Sequence, residues 1–258
     1  MDKSYKSNQS IHKIFCIIEK LSTASEPMRL TDLASQVKMP SATVLRLINT
    51  LIDCGYAYQE KEGSMRYGLT LKFLQIGTMI SEHYDFKNQA HPYLLALSRE
   101  CGETCCLSIF DNNMVRYLDV VETHDSNILI RQRIGGTAYM HATSSGKVLL
   151  SNFTKEEIKS IIDDTGLISL TPRTIVESEQ LISAVNETRI KGYALDDEEC
   201  EMGMRCIAVP IIVSGKAICA LCLSGPVFRM TDQHIETDLL PKLFNCANNI
   251  ARQVGGCI

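Results

Sequence analysis

Pro40-Ser41-Ala42-Thr43-Val44-Leu45-Arg46-Leu47-Ile48-Asn49-Thr50-Leu51-Ile52-Asp53-Cys54-Gly55 decides how the N-terminal part of this chain folds. Pro40 cannot extend a helix that precedes it, and Ser41 can cap one that follows. Val44, Leu47, Ile48 and Leu51 fall at i, i+3, i+4 and i+7, the buried stripe of a helix. Thr43, Arg46, Thr50 and Asp53 then lie on the opposite face, and Gly55 supplies the C-cap. A guanidinium flanked by threonines on an outward helix face suits a nucleic-acid groove. Arg reads guanine bidentately or grips phosphate, and Thr meets phosphate or a thymine methyl. The same residues would equally serve as a solvated helix surface.

The neighbouring sequence decides between these readings. Upstream, Ile11, Ile14, Phe15, Ile18 and Leu21 recur at helical spacing, and Ser22 to Met28 forms a polar break. Thr31-Asp32 offers an N-cap for a short helix carrying Leu33, Ala34 and Val37. Downstream, Tyr56–Gln59 and Met65–Leu69 are strand-like runs around Lys61-Glu62-Gly63-Ser64, a hairpin signature. Helix, short helix, tight turn, helix and hairpin is the layout of a winged helix-turn-helix. Charge agrees: residues 1–80 carry ten Lys and Arg against seven Asp and Glu, a balance of +3, and residues 81–258 carry 16 against 23, a balance of −7. A basic head on an acidic body fits a phosphate-contacting module.

Leu71 to Ser81 reads as a connecting helix and Phe86 to Glu100 as another. Strands follow at Thr104–Phe110, Met114–Glu122 and Ile128–Ile134, then a loop at Gly135-Gly136. Helices are expected at Ser145–Ser151, Thr154–Asp163 and Glu177–Lys191, and strands at Tyr193–Asp196, Ile207–Val213 and Ala217–Ser224. Thr231-Asp232 caps a last helix running to Val254. The fold class is α+β, with a head over 1–70, a linker helix over 71–85 and a larger domain over 86–258. No run of 18 apolar residues exists, so no membrane span is expected, and Met1 to Lys6 contains no signal-peptide core. Eleven scattered cysteines fit a reduced, cytoplasmic setting better than a disulfide framework.

Four blocks of residues now carry a resemblance. Pro40 to Ile48 looks like Pro-Lys-Ser-Thr-Val-x-Arg-Leu-Leu, the recognition helix of the IclR family of bacterial transcription regulators. Tyr67-Gly68-Leu69 is similar to the Tyr-x-Leu that closes its wing. Ile134-Gly135-Gly136 with Met140-His141-Ala142-Thr143-Ser144-Ser145-Gly146-Lys147 resembles its Gly-x-x-x-x-x-His-Ala-x-x-x-Gly-Lys block. Gly192-Tyr193-Ala194-Leu195-Asp196-Asp197-Glu198-Glu199 with Gly203-Met204-Arg205-Cys206-Ile207-Ala208-Val209-Pro210 is the most specific match. The likeness spans roughly residues 10 to 255. It implies a winged helix-turn-helix followed by a GAF-like effector domain. It also implies a homodimer or homotetramer on a near-palindromic double-stranded operator, and a small organic effector, a carboxylate or an aromatic acid. Carried over residue by residue, it assigns DNA contact to Ser41, Thr43, Arg46 and Thr50. It places Ile130, Ser144, Ser145, Asp196, Met204, Cys206, Cys222 and Ser224 around the effector. The chain departs from the family at Ser41-Ala42, where many members have Lys-Ser, and at Glu60 and Glu62, which flank Lys61 in the wing.

The residues themselves support a compact polar ligand. Cys222 and Ser224 alternate on one strand and face one side. Backbone N–H groups at the start of the Ser144-Ser145-Gly146 helix favour a carboxylate. The chain has no Trp, and Tyr139 is the one aromatic expected nearby, so a large flat ligand has little to stack on. Asp196 accepts from an effector hydroxyl or braces its own turn. The expected activity is that of a repressor of a catabolic operon, sensing a small carboxylate or sugar acid without cofactor or metal. An enzyme with a Cys206 or Ser145 nucleophile would need His141 and Asp196 as base and orienting group, and no Gly-x-Ser-x-Gly elbow exists. His141 has no second ligand at metal spacing and reads as structural. Asp196 to Glu199 lacks a calcium-loop spacing and reads as a capping or interface block. Cys219 and Cys222 face opposite sides of a strand, which disfavours a zinc or redox pair. A thiol switch at Cys105 or Cys106, near Cys101, is a third reading.

Overall fold

A computed structural model describes residues 8–61, 63–82, 85–122 and 133–255. The chain forms two compact units, Met1–Tyr84 and Asp85–Ile258.

The first unit holds α1 (Gln9–Ser22), β1 (Met28–Arg29), α2 (Leu30–Gln36), α3 (Ser41–Asp53), β2 (Ala57–Gln59), β3 (Arg66–Leu69) and α4 (Lys72–Glu82). The three strands form an antiparallel sheet in the order β1-β3-β2. The core is Ile17 and Leu21 of α1, Leu30 and Leu33 of α2, and the stripe Val44, Leu47, Ile48 and Leu51 of α3, closed by Tyr67. The 3.6-residue period of α3 therefore points where the sequence puts it. Gly55 takes a left-handed φ of +78° just past the cap residue Cys54, and its N–H donates to the Ile52 carbonyl at 2.8 Å. Lys72 reaches back to the Cys54 carbonyl at 2.7 Å and lies over the Tyr56 ring, which also meets Phe73. These contacts tie α4 to the head.

Two expected caps are absent. α2 begins at Leu30, ahead of Thr31-Asp32, because the preceding backbone is held in the sheet and Leu30 N–H donates to Met65 O at 2.8 Å. Ser41 does not cap α3; it is the first helical residue. Pro40 is the cap, and its carbonyl accepts from Thr43 and Val44. The missing Pro N–H and its fixed φ suit that boundary.

The second unit holds α5 (Asp85–Cys101), β4 (Thr104–Asp111), β5 (Met114–Val121), β6 (Thr137–Tyr139), α6 (Ser144–Leu150), α7 (Lys155–Thr165) and α8 (Ser178–Lys191). β7 (Ala194–Asp197), β8 (Met204–Val213), β9 (Lys216–Pro226), α9 (Asp232–His234) and α10 (Leu240–Gly255) complete it. Six antiparallel strands order as β6-β5-β4-β9-β8-β7. Each face is covered. Leu107, Ile207, Val209, Leu221 and Leu223 pack against Leu94 and Leu97 of α5 and Leu243 and Ile250 of α10. Cys106, Cys206, Ala208 and Cys222 pack with Val148 and Leu149 of α6, Ile158 of α7 and Leu181 and Val185 of α8. Burial on both faces gives the central strands β4, β8 and β9 near-continuous apolar runs, whereas β5 alternates buried and half-buried positions.

The strand expected at Ile128–Ile134 lies outside the described residues up to position 132, and Arg133 and Ile134 are not in a strand. The edge strand is β6 instead, paired to β5 with Thr137 opposite Arg116. The single last helix expected from Thr231 is interrupted by a π-helical turn, Ile235–Leu239, between α9 and α10. Thr231 does cap its start, accepting from His234 N–H.

Candidate functional site

Two places concentrate the chemistry. On the head, the outer face of α3 is built by the helix period. Arg46 and Thr50 are exposed, Thr43 is half-buried, and Ser41 stands exposed at the helix start. Arg46 forms no ion pair with a carboxylate among the described residues. The Thr50 hydroxyl is committed to the Arg46 carbonyl at 3.1 Å, so Thr50 presents its methyl group outward.

On the body, a cavity of about 130 Å³ opens beside the sheet. Tyr117 of β5 and Thr137 and Ala138 of β6 form one wall. Thr143, Ser144 and Ser145 at the start of α6 form another. Asp196 of β7, Cys200 and Glu201 of the following turn, Met204 and Cys206 of β8 and Cys222 of β9 close the rest. Six expected residues thus converge: Ser144, Ser145, Asp196, Met204, Cys206 and Cys222. Ser224 does not line the cavity. It shares the face of Cys222, as strand alternation requires, but is sealed beneath it, its hydroxyl 3.4 Å from the Cys222 sulfur. Ile130 lies outside the described residues.

Local structure explains the convergence. Thr143, not Ser144 or Ser145, caps α6, its hydroxyl accepting from Gly146 N–H at 3.1 Å. A Cβ at Gly146 would collide with the Met140 carbonyl, so only glycine lets α6 start this close to the preceding strand segment. Ser144 lies 3.6 Å from the Cys222 sulfur. Asp196 accepts from Glu199 N–H at 2.8 Å and Cys200 N–H at 3.2 Å, so it braces the turn and lines the cavity at once. Behind it Lys147, buried, donates to Glu199 at 2.5 Å and to the Leu195 carbonyl at 2.8 Å. Burial pushes the Asp196 carboxyl up to about 7, opposed by its two backbone N–H partners and reinforced by the Glu199 charge.

The rest of the acidic block is occupied by the protein. Arg205 pairs with Asp197 and Asp232, and Arg173 with Asp197 and Glu198. Thr171 and Thr174 donate to the carbonyls of Glu198 and Glu199. No group of acidic, His and Cys side chains suited to a metal occurs among the described residues.

Tyr117 was missed by sequence reasoning, which placed Tyr139 nearest. A bulge between Leu107 and Ser108 pairs Leu107 with Asp119 but Ser108 with Tyr117, adding Leu118 to one strand. That extra residue resets which β5 side chains face the cavity. Burial raises the Tyr117 phenol well above its ordinary range, so it stays a neutral donor, and its hydroxyl has no hydrogen-bond partner among the described residues.

The other candidates resolve as structural groups. His141 is buried, its Nε2 lies 3.0 Å from the Ile168 carbonyl, and burial lowers its pKa. Cys105 and Cys106 are fully buried, and burial raises both thiols well above their usual range, the reverse of what a redox sensor needs. Cys219 packs on the α5 side of the sheet and Cys222 on the α6 side. No helix among the described residues is long and apolar enough to cross a membrane.

Comparison with known proteins agrees with this layout. Residues 10–61 match the IclR helix-turn-helix domain, and residues 78–252 match the bacterial transcriptional regulator IclR C-terminal domain. The chain is 32% identical over 256 residues to the HTH-type transcriptional regulator KdgR of Escherichia coli, covering 99% of this chain and 96% of that one. It is 28% identical over 256 residues to the acetate operon repressor of Salmonella typhimurium, covering 96% and 90%. An IclR homologue from Microbacterium hydrocarbonoxydans, solved with 4-hydroxybenzoate, shares the fold with a TM-score of 0.81 at 20% identity, over 96% of this chain and 99% of that one. These relatives are regulators, not enzymes. The chain belongs to the IclR family of DNA-binding bacterial transcription regulators.

Proposed function

We propose that this protein is a repressor whose head leaves its operator when the body binds a compact carboxylate. The reading rests on the cavity bounded by Asp196, Ser144, Ser145 and Tyr117. A space of this order holds a ligand of roughly benzene size. Among the described residues no Lys or Arg lines it, and the Ser144, Ser145 and Tyr117 hydroxyls offer neutral donors to a carboxylate. Asp196, with a pKa of about 7, acts there as an acid that donates or as a base that accepts from an effector hydroxyl. Tyr117 gives the cavity an aromatic edge, so the ligand class includes small aromatic acids beside sugar acids and keto acids. The 4-hydroxybenzoate held by the Microbacterium relative belongs to that class.

On the DNA side, Arg46 reads or grips the major groove, Thr43 and Thr50 pack against backbone or thymine, and Ser41 offers its backbone N–H to phosphate. One such helix per head is too little for tight binding, so two heads pair on a near-palindrome. Leu71 and Met79, exposed at and along α4, are the dimer contact we favour. Light scattering that finds a monomer at DNA-binding concentrations excludes this pairing.

The deciding experiment is a thermal-shift screen of small carboxylates, sugar acids, keto acids and 4-hydroxybenzoate. A ligand at a hundred times its Kd stabilises the native state by about 2.7 kcal/mol. The hit should raise the midpoint of the wild type and not of Cys222→Val, and should weaken DNA binding. A hit that stabilises both proteins equally places the effector elsewhere, and one that strengthens DNA binding overturns the repressor reading.

A further inference from the structure

Duplex DNA is held chiefly through its phosphates, yet α3 carries one guanidinium. Two more lie together elsewhere on the head. Arg29 ends β1, Arg66 opens β3, and they stand directly opposite each other in the antiparallel register. Their neighbours Met28 and Tyr67 turn into the core, so both arginines face out. Like charges placed opposite each other destabilise a strand pair. Among the described residues no carboxylate pairs with either one.

The two arginines, with Leu30, Thr31, Ser64 and Met65, line an open cleft of about 440 Å³ at the base of the wing. Its walls are fixed. Leu30 N–H donates to Met65 O at 2.8 Å, and Arg66 Nη1 donates to Pro27 O at 3.0 Å. The Ser64 oxygen accepts from Lys61 N–H, which leaves its own proton to donate. The Thr31 hydroxyl donates to Asp32, which is not part of the lining.

We propose that this cleft is a second DNA contact, in which Arg29 and Arg66 hold one backbone phosphate between them. A planar guanidinium matches phosphate oxygens two at a time, and two of them neutralise the charge that a lone surface lysine would only attract. Such a contact carries no sequence information; it sets the angle at which α3 enters the groove. It also accounts for the wing tip, where Glu60 and Glu62 beside Lys61 make a poor phosphate contact. The grip lies at the base of the wing.

The test works on any duplex the protein itself selects. A duplex chosen from a random pool by the full-length protein, and an unrelated duplex of equal length, are titrated by fluorescence anisotropy over a range of KCl. Arg29 is exposed, so Arg29→Ala spares the fold. It should weaken both duplexes by the same several-fold factor and reduce the slope of log K against log salt by about one per protomer. Arg29→Lys should keep the slope and lose part of the affinity. Arg46→Ala is the reference, expected to weaken the selected duplex more than the unrelated one. An unchanged slope in Arg29→Ala, a loss confined to the selected duplex, or a changed mass by light scattering overturns the cleft assignment. If Arg46→Ala leaves both duplexes unaffected while Arg29→Ala weakens both, the reading of α3 fails and the cleft stands.

Discussion

The head displays its polar groups on its outer surface, most of them along α3, and the body assembles its chemistry inside, from seven separate segments. On α3 the exposed residues are whatever the buried stripe leaves over, so their positions follow from spacing alone. Around the cavity, Tyr117, Asp196, Cys206 and Cys222 come from four different strands and Ser144 from the start of α6, and local devices bring them together. A bulge turns Tyr117 inward, a glycine lets α6 approach, and a braced turn aims Asp196. Substitutions on the outside should therefore change binding and leave stability alone. Substitutions inside should change both, and the largest should change stability first.

Lys147→Met tests this most severely. The lysine is buried, and its loss leaves Glu199 charged and unpaired beneath Asp196. Breaking one partner of a buried pair costs about 3–5 kcal/mol, a fall in melting temperature on the order of 10 °C for a unit of this size. Calorimetry should show that loss. Replacing both partners, Lys147→Met with Glu199→Leu, should recover much of it. A single variant that melts like the wild type would mean the pair contributes nothing to holding the cavity wall.

Asp196→Asn sharpens the contrast through pH. The folded pKa of about 7 lies above the ordinary carboxylate value of about 4. The stability this group contributes is therefore fully present at low pH and is lost as pH rises through 7. Asparagine keeps an oxygen for the Glu199 and Cys200 N–H groups and does not titrate. Between about pH 4 and pH 7 the wild type should lose stability relative to the variant by up to about 1.4 kcal/mol per pH unit. Denaturant unfolding at a series of pH values measures the difference. Parallel curves would mean that Asp196 ionises in the folded protein as it does in the unfolded chain.

The same contrast explains what the sequence disclosed. The α3 stripe, the hairpin and the runs that became β4, β5, β7, β8 and β9 were legible because each is a short-range pattern. The resemblance brought Ser144, Ser145, Asp196, Met204, Cys206 and Cys222 to one place, which no spacing rule would have done. Tyr117 stayed hidden because the bulge that turns it inward depends on how β5 pairs with Leu107 and Ser108 of β4, across the turn between the two strands. The cap expected for α2 failed for a related reason. At Leu30 the competing claim on the backbone came from β3, more than thirty residues on, and local preference for Thr31 or Asp32 lost to it.

Arg46→Ala addresses the outside. It should cost about 1–3 kcal/mol of operator affinity per half-site, and the melting temperature should not move. Anisotropy titration at fixed salt, on a duplex selected by the wild type, reads the first, and calorimetry the second. A variant that binds DNA normally removes α3 as the reading helix. One that melts early would place Arg46 in the fold of the head, against its exposure.

Tyr117→Phe makes the finest distinction, because it asks for an inside residue that behaves like an outside one. The ring is buried among Val115, Cys106 and Cys222, so phenylalanine preserves the packing. Burial keeps the phenol neutral, hence a donor, and its hydroxyl has no partner among the described residues. With no bond to lose, the ligand-free protein should melt at the wild-type temperature. If the hydroxyl donates to the effector, its removal should weaken binding by about 0.5–1.5 kcal/mol, a factor of roughly two to twelve. Calorimetric titration with the ligand found in the screen measures this against the wild type. A lower ligand-free midpoint would show that the hydroxyl serves the fold. Unchanged affinity would leave Ser144, Ser145 and Asp196 to hold the effector without Tyr117.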